Sequence, residues 1–232
     1  MEILLLDKER SVVLKQYAVI GIGRFGCSLA TKLYELGYDV LAIDKDEEKI
    51  KNIADKVTYA VQGDATDINT LKAIGLRNIE VVVVSIASDI NASLMATLNA
   101  RELDINEVYA KAQNEQHAKV LYKVGADRVF LPERDMGKRV AHNIVSTNIL
   151  DLIELDPHHS IIETKTIERW EGKSLSELNL RAKYGINVIA LKRGDKLNIS
   201  PAATDKINKN DILVVIGDNN SLSKIQKGND IK

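Results

Sequence analysis

The chain has 232 residues, 45% of them hydrophobic and 28% charged, with a formal net charge of −1; that suits one or two domains with a real core and supplies no basic field for nucleic acid or anionic lipid. Its single cysteine, Cys27, excludes an internal disulfide framework and fits a reducing cytosol. No apolar run approaches the ~18–20 residues of a membrane span, and Met1–Arg10 lacks the basic lead and apolar stretch of a signal peptide, so a membrane role would run through a partner.

Met1–Lys15 reads as an added strand, a crossover onto a partner or an artificial extension. Tyr17–Ile20 is a short, partly β-branched strand that runs into glycines. Phe25–Leu36 has helical apolar spacing at Leu29, Leu33 and Leu36 and stops at Gly37. A strand at Asp39–Ile43 ends at Asp44, a helix covers Glu47–Ala54, and a strand covers Thr58–Val61. Asp67 caps a helix that reaches Ile74. Val81–Val84 is the most apolar strand, as expected at the centre of a parallel sheet. Helices at Ile90–Leu103 and Gln116–Val124 alternate with strands at Glu107–Ala110 and Arg128–Leu131. Alternation from Tyr17 to Leu131 predicts a Rossmann-like, doubly wound parallel sheet.

The pattern then changes. Met136–Ile153 reads as one long helix, and Asp156-Pro157-His158-His159 as a linker. Short strands follow at Ile161–Thr166, Val188–Leu191, Leu197–Ile199 and Ile212–Ile216, with a helix around Leu175–Lys183. The expected organisation is an extension over 1–15, a nucleotide-binding domain over 16–155 and a small α+β domain over 156–228. The second, of roughly 65–70 residues, is small enough to gain from dimerising. Gly228–Lys232 is expected to be a disordered tail.

Gly21-Ile22-Gly23-Arg24-Phe25-Gly26 is a G-x-G-x-x-G motif that follows a strand and opens a helix, and Asp44 ends the next strand at about the ~20-residue spacing the fingerprint requires. Gly21 permits the tight turn, Gly23 the approach of backbone to phosphate, and Gly26 the close packing of helix and strand. N–H groups at the helix start can hold phosphate oxygens. Asp44 can accept from both ribose hydroxyls and would repel a 2′-phosphate, which disfavours NADP. Gly63-Asp64-Ala65-Thr66 follows the third strand at the same sheet edge and either lines the adenine side or is a plain turn. Arg24 suits a terminal phosphate of ATP, the pyrophosphate of NAD or simple solvation.

A catalytic reading lacks parts. A dehydrogenase needs an acid–base residue and a substrate anchor. His117 and His142 fall on predicted helices and His158 and His159 in the linker, without metal-ligand spacing to a carboxylate or cysteine. Neither a G-x-S-x-G elbow nor a Walker loop occurs. Cys27 starts a helix, where thiolate is favoured, but just past Gly26 it also serves as the small residue that tight packing wants. The chain therefore reads as a nucleotide sensor rather than an enzyme.

Tyr17–Gly26 (YAVIGIGRFG), Val108–Asn114 (VYAKAQN), Val124–Gly137 (VGADRVFLPERDMG) and Leu178–Gly185 (LNLRAKYG) together resemble the cytosolic regulatory subunit of Ktr-type potassium transporters, whose domains regulate K+ conductance (RCK domains) and whose relatives include Trk-type subunits. The resemblance covers nearly everything after Lys15; the lead of Met1–Lys15 is longer than the family's. It implies a peripheral protein whose dimers assemble into an octameric ring on the inner face of the membrane, against a separate membrane-embedded potassium channel or transporter subunit. ATP and ADP compete for the glycine-rich site, with NAD(H) sensing or NAD-dependent oxidoreduction as the alternative. The implied nucleotide residues are Gly21, Ile22, Gly23, Arg24, Phe25, Gly26, Asp44, Lys45, Gly63, Asp64, Ala65 and Lys111. Arg24 is implied to reach the terminal phosphate of ATP in a neighbouring subunit. Glu133 is implied to share Mg2+ or Ca2+ with its counterpart across an interface, whereas its residue type alone suits a helix N-terminal acid. The C-terminal domain resembles a module that binds cyclic di-AMP between two copies, with Arg181, Ile186, Asn187, Ile189, Pro201 and Ala203 as candidate contacts and plain dimerisation as the alternative.

Overall fold

The VVVV segment β4 (Val81–Val84) has every residue buried and lies inside a six-stranded sheet. With both faces covered, a strand must be apolar throughout rather than alternating. The computed structural model describes residues 15–145 and 149–226. The readings of Met1–Lys15 (Lys15 apart), of the tail Gly228–Lys232 and of the His142 side chain lie outside the described residues.

β1 (Gln16–Ile20), β2 (Asp39–Asp44), β3 (Tyr59–Gln62), β4, β5 (Glu107–Lys111) and β6 (Arg128–Phe130) pair in parallel in the order β3-β2-β1-β4-β5-β6. α1 (Arg24–Glu35), α2 (Glu47–Ile53), α3 (Ile68–Ile74), α4 (Ile90–Glu102) and α5 (Glu115–Lys123) connect them, and α6 (Pro132–Val145) follows. Caps set the starts: Asp46, Asp67, Asp89 and Asn114 each accept a backbone N–H from the first turn of the following helix, which satisfies a donor the helix itself cannot. Two apolar clusters cover the sheet, one including Ile20, Val82, Ala96 and Leu121, the other Val19, Ala30, Ile50 and Ile53. Strand order reverses between β1 and β4, and in such sheets ligands bind outside the carboxyl ends of the strands at that point.

Contacts divide the chain after Glu133 into two compact units. The second holds an antiparallel sheet in the order β10-β9-β11-β8-β7. Its strands are β7 (Ile149–Glu154), β8 (His159–Lys165), β9 (Asn187–Arg193), β10 (Lys196–Asn198) and β11 (Ile212–Asp218), with α7 (Leu175–Leu178), α8 (Leu180–Tyr184) and α9 (Asn219–Gln226). Trp170, Ile186, Leu213 and Ile225 are core residues there.

Three sequence expectations change. The helix expected over Met136–Ile153 ends at Val145, and Ile149–Glu154 is strand β7, paired with β8. Asp156–His159 is the turn of that hairpin rather than a linker: Asp156 Oδ1 accepts from the backbone N–H groups of His158 at 2.7 Å and His159 at 2.8 Å. The helix expected around Leu175–Lys183 breaks into α7 and α8 at Asn179, whose φ is 45°.

Candidate functional site

The glycine loop is built mainly from backbone. Gly21 leaves β1 with φ at 93°, a conformation L side chains rarely adopt, and its N–H donates to Ile43 O at 2.7 Å. A Cβ on Gly26 would fall 2.0 Å from Gly21 O and 2.4 Å from Ser85 Oγ, so α1 packs on the loop only if residue 26 has no side chain. A Cβ on Gly23 would meet nothing within 4 Å. Gly23 is also the N-cap of α1, and neither a side-chain cap nor a first-turn acid competes for that helix start. Free N–H groups, open approach and the positive end of the helix dipole fit a nucleotide's phosphates.

Asp44, at the end of β2, is buried and reaches this loop. Its Oδ2 accepts from Ile22 N–H at 2.6 Å, its Oδ1 accepts from Asp46 N–H at 2.9 Å, and Lys49 Nζ lies 3.5 Å from Oδ2. A carboxylate offers about four lone-pair sites, so two backbone partners leave capacity for ribose hydroxyls. Lys45 is exposed, and its carbonyl accepts from Gln62 Nε2 at 3.1 Å. Beyond β3, Asp64 Oδ1 accepts from the Thr66 N–H at 2.9 Å and hydroxyl at 2.7 Å, and those donors hold the Asp64 carboxyl below its usual range. Ala65 is buried, and Gly63 N–H donates to Asp44 O at 3.0 Å, which ties this loop to the acid.

On the other side of the crossover, Lys111 ends β5, almost buried. Its ammonium donates to Glu133 Oε1 at 2.6 Å and lies 5.6 Å from the centre of the Phe25 ring. Glu133 is exposed; the Lys111 hydrogen bond first, and the Arg24 charge among lesser causes, keep its carboxyl below the ordinary glutamate range. Arg24, Phe25, Lys111 and Glu133 therefore converge beside the start of α1. Glu133 is a single carboxylate: among the described residues no group of three or more His, Cys, Asp or Glu side chains could hold a metal ion. A divalent cation there needs further oxygens, from phosphate or from a second copy.

In the second unit a groove of about 220 Å³ is lined by residues that include Arg181, Ile186, Asn187, Asn179 and Leu175. Arg181 is exposed and makes no side-chain hydrogen bond or ion pair among the described residues. Ile186 is 0% exposed and belongs to the core, so it backs the groove instead of forming the open apolar wall expected of it. Ile189 is exposed on β9, and neither it nor Pro201 lines the groove. Ala203 lies at its rim, accepting from the N–H of the groove residue Ser176 at 2.8 Å.

Sequence reasoning passed over two buried residues that touch the loops. Ser85, directly after β4, donates to Gly21 O at 2.5 Å. Asn99, on α4, donates to Ala65 O and Thr66 O, each at 3.0 Å. His117 is a buried packing residue of α5 whose Nδ1 accepts from Gln113 N–H at 3.3 Å; burial lowers its pKa.

A parallel sheet with a glycine loop open to phosphate and a buried acid at its switch point, followed by a small antiparallel unit, defines a two-part architecture of a Rossmann-like domain and a small α+β domain. The TrkA-N domain matches residues 17–132 and the TrkA-C domain residues 165–227. The chain is 48% identical over 213 residues to Ktr system potassium uptake protein C of Bacillus subtilis (92% of this chain, 96% of that one). It is 35% identical over 209 residues to Ktr system potassium uptake protein A of Vibrio alginolyticus (90% and 95%). The structure of the GsuK channel bound to NAD is similar in fold, with a TM-score of 0.66 at 17% identity over 96% of this chain and 41% of the channel chain. The chain belongs to the Ktr family of potassium uptake proteins, built from a TrkA-N and a TrkA-C domain; these sequence relatives are named as uptake proteins, not as enzymes.

Proposed function

We propose that this chain is the cytoplasmic, nucleotide-controlled regulatory subunit of a potassium uptake system, acting at the inner face of the membrane on a separate membrane-embedded potassium channel or transporter subunit. The observation that carries the reading is the glycine loop at the open start of α1, with the Asp44 carboxylate hydrogen-bonded to it at 2.6 Å. That arrangement suits an adenine nucleotide without a 2′-phosphate. Family membership supports the transport role, and the described residues include no helix long and apolar enough to cross a membrane, which suits work through a partner.

Within this reading ATP and ADP compete for the loop and favour different shapes of a ring of eight chains assembled from dimers. Arg24, exposed at the loop, reads the terminal phosphate of ATP held by a neighbouring copy. Glu133 and its counterpart share Mg2+ or Ca2+ with that phosphate, which supplies the oxygens one carboxylate lacks. The groove beside Arg181 takes cyclic di-AMP between two copies. A ligand shifts a ring only through differential affinity for its states, so the test is selective. Arg24→Ala should weaken ATP more than ADP in calorimetry on the full chain, with NADH as competitor. Equal losses for ATP and ADP would remove Arg24 from the terminal phosphate, and preference for NADH over both would replace the ATP/ADP reading with NAD(H) sensing.

A further inference from the structure

One peptide plane in the glycine loop is held at both ends. The carbonyl of Gly21 accepts from Ser85 Oγ at 2.5 Å, and the N–H of the same peptide, on Ile22, donates to Asp44 Oδ2 at 2.6 Å. Ser85 is itself fixed, since its N–H donates to Ile20 O at 2.7 Å. Ile86 and Ser85 also crowd Gly21: a Cβ there would lie 2.9 Å from Ile86 Cγ1 and 3.0 Å from Ile86 N. The end of β4 thus braces the turn from one side while Asp44 holds it from the other. A peptide that cannot rotate fixes the direction of the N–H groups that follow it, and preorganised donors bind an anion without reorganising.

The loop after β3 has a corresponding brace. Asn99 lies in the last turn of α4, 4% exposed, and its amide donates to two successive carbonyls, Ala65 O and Thr66 O. Asparagine is a weak helix former, and a buried amide must find partners; here they are those two carbonyls of the loop. Ser85 and Asn99 lie on one continuous stretch, the end of β4 through α4.

We propose that Ser85 and Asn99 are positioning residues of the nucleotide site: the β4–α4 stretch holds the phosphate loop through Ser85 and the adenosine-side loop through Asn99, and so sets the spacing between them. The proposal rests on the nucleotide reading above and assigns different parts of the ligand to the two residues. Ser85→Ala frees the pyrophosphate-facing peptide, and one lost hydrogen bond corresponds to about a three- to tenfold loss of affinity. That loss should fall on ADP and ATP and spare adenosine. Asn99→Ala loosens the other loop and should weaken ADP and adenosine by similar factors.

The measurement is displacement of a fluorescent ADP analogue from the full chain by ADP and by adenosine, with thermal melting of each variant alongside. Ser85→Cys, which keeps a weaker donor on a somewhat larger atom, is the second variant beside alanine and should fall between serine and alanine for ADP. Selective loss of ADP in the Ser85 variants, with loss of both ligands in Asn99→Ala, supports the assignment. Equal loss of ADP and adenosine in Ser85→Ala, or unchanged affinities beside a lowered melting temperature, makes these residues structural only and overturns it. If the unaltered protein binds no adenine ligand, the nucleotide reading falls and this assignment with it, an outcome distinct from a bound ligand that ignores both residues.

Discussion

The candidate sites of the two units are built from different materials. In the first, the candidate site is mainly backbone: the open start of α1, a glycine turn and loops whose positions are fixed by buried hydrogen bonds. In the second, the candidate groove is lined by side chains on an antiparallel sheet and two short helices, with an exposed arginine at its mouth. A backbone site tolerates few residues at its tightest points, because sterics decide. A side-chain site tolerates many sequences structurally, because the groups that would bind do not hold the fold. Substitutions in the first unit should therefore split sharply between those that break the fold and those that only break binding, whereas substitutions at the groove should fall mostly in the second class.

The largest effect expected is at Gly26. An alanine Cβ there would sit 2.0 Å from the backbone oxygen of Gly21, which cannot move aside as a flexible side chain can. Relief requires lifting α1 off β1, at about 3 kcal/mol, the upper end for overpacking a core. Denaturant unfolding of Gly26→Ala should show that loss. Gly23→Ala, with nothing within 4 Å of the new Cβ, should change stability by less than about 0.5 kcal/mol while nucleotide affinity drops. Similar stabilities for the two variants would erase the distinction between packing glycine and approach glycine.

The same division explains what was legible in the sequence. G-x-G-x-x-G with Asp44 is readable because its glycines stand at fixed spacing, Gly21 and Gly26 under local steric demand and Gly23 at an open approach. Caps such as Asp67 are readable for the same local reason. Ser85 and Asn99 are not: Ser85 meets its acceptor 64 positions away, and one serine after an apolar strand has no spacing signature. β7 was missed because Met136–Ile153 carries enough apolar residues to satisfy a helical period, while the strand depends on hairpin pairing with β8, Leu152 opposite Ile162, and on a bidentate ion pair between Asp151 and Arg139 of α6. At the groove, Arg181, Ile186 and Asn187 share one lining, while Ile189 and Pro201 lie outside it; spacing along the chain alone does not say which face of β9 is covered.

In the second unit the largest effect belongs to a group outside the groove. Asp211 is 1% exposed and accepts from Arg193 Nε at 2.9 Å, Arg193 Nη2 at 2.7 Å and Asn208 N–H at 2.7 Å. Asp211→Ala should cost about 2–3 kcal/mol, because it leaves those donors without their charged acceptor. The Arg193 hydrogen bonds, foremost, hold the Asp211 carboxyl below the ordinary aspartate range. A carboxyl depressed on folding contributes stability that is present above its unfolded pKa, about 3.9, and lost as pH falls through the lower folded value. Unfolding free energy should therefore drop with acid below about pH 4 in the unaltered chain. In Asp211→Ala that acid slope should be shallower. An unchanged slope would mean that other carboxylates carry it.

Two substitutions at the candidate nucleotide site come next. Asp44→Ala removes both the proposed ribose acceptor and the anchor of Ile22 N–H. Charged hydrogen bonds of this kind correspond to about ten- to hundredfold in affinity, falling on ATP and ADP alike; calorimetry with unchanged affinity for both would take Asp44 out of the site. Glu133→Gln keeps the size and removes the charge that Lys111 and a shared cation would each seek. Mg2+ or Ca2+ should then cease to strengthen ATP binding, while ADP binding without cation stays within about twofold, because the Glu133 side of the pair is 70% exposed and screened by solvent. A cation response that survives in Glu133→Gln would leave Glu133 as the partner of Lys111 alone.

The smallest effect on the fold, and the sharpest test of the side-chain site, is expected at Arg181. The residue is exposed and holds no other described side chain, so Arg181→Ala should leave thermal unfolding within about 0.5 kcal/mol of the unaltered chain. A cyclic dinucleotide is two-fold symmetric and carries two phosphates. A two-fold pair of chains offers each half the same surface, so one set of residues serves twice and two copies of Arg181 supply one guanidinium for each phosphate. Equilibrium titration of the full chain with cyclic di-AMP should give one ligand per two chains. Arg181→Ala should remove most of that binding while sedimentation shows the same oligomer, since apolar burial rather than this charge would hold the copies together. A stoichiometry of one per chain would break the symmetric arrangement. No binding at high micromolar ligand would leave the groove without a dinucleotide, and the second unit would differ from the first in having no ligand site of its own.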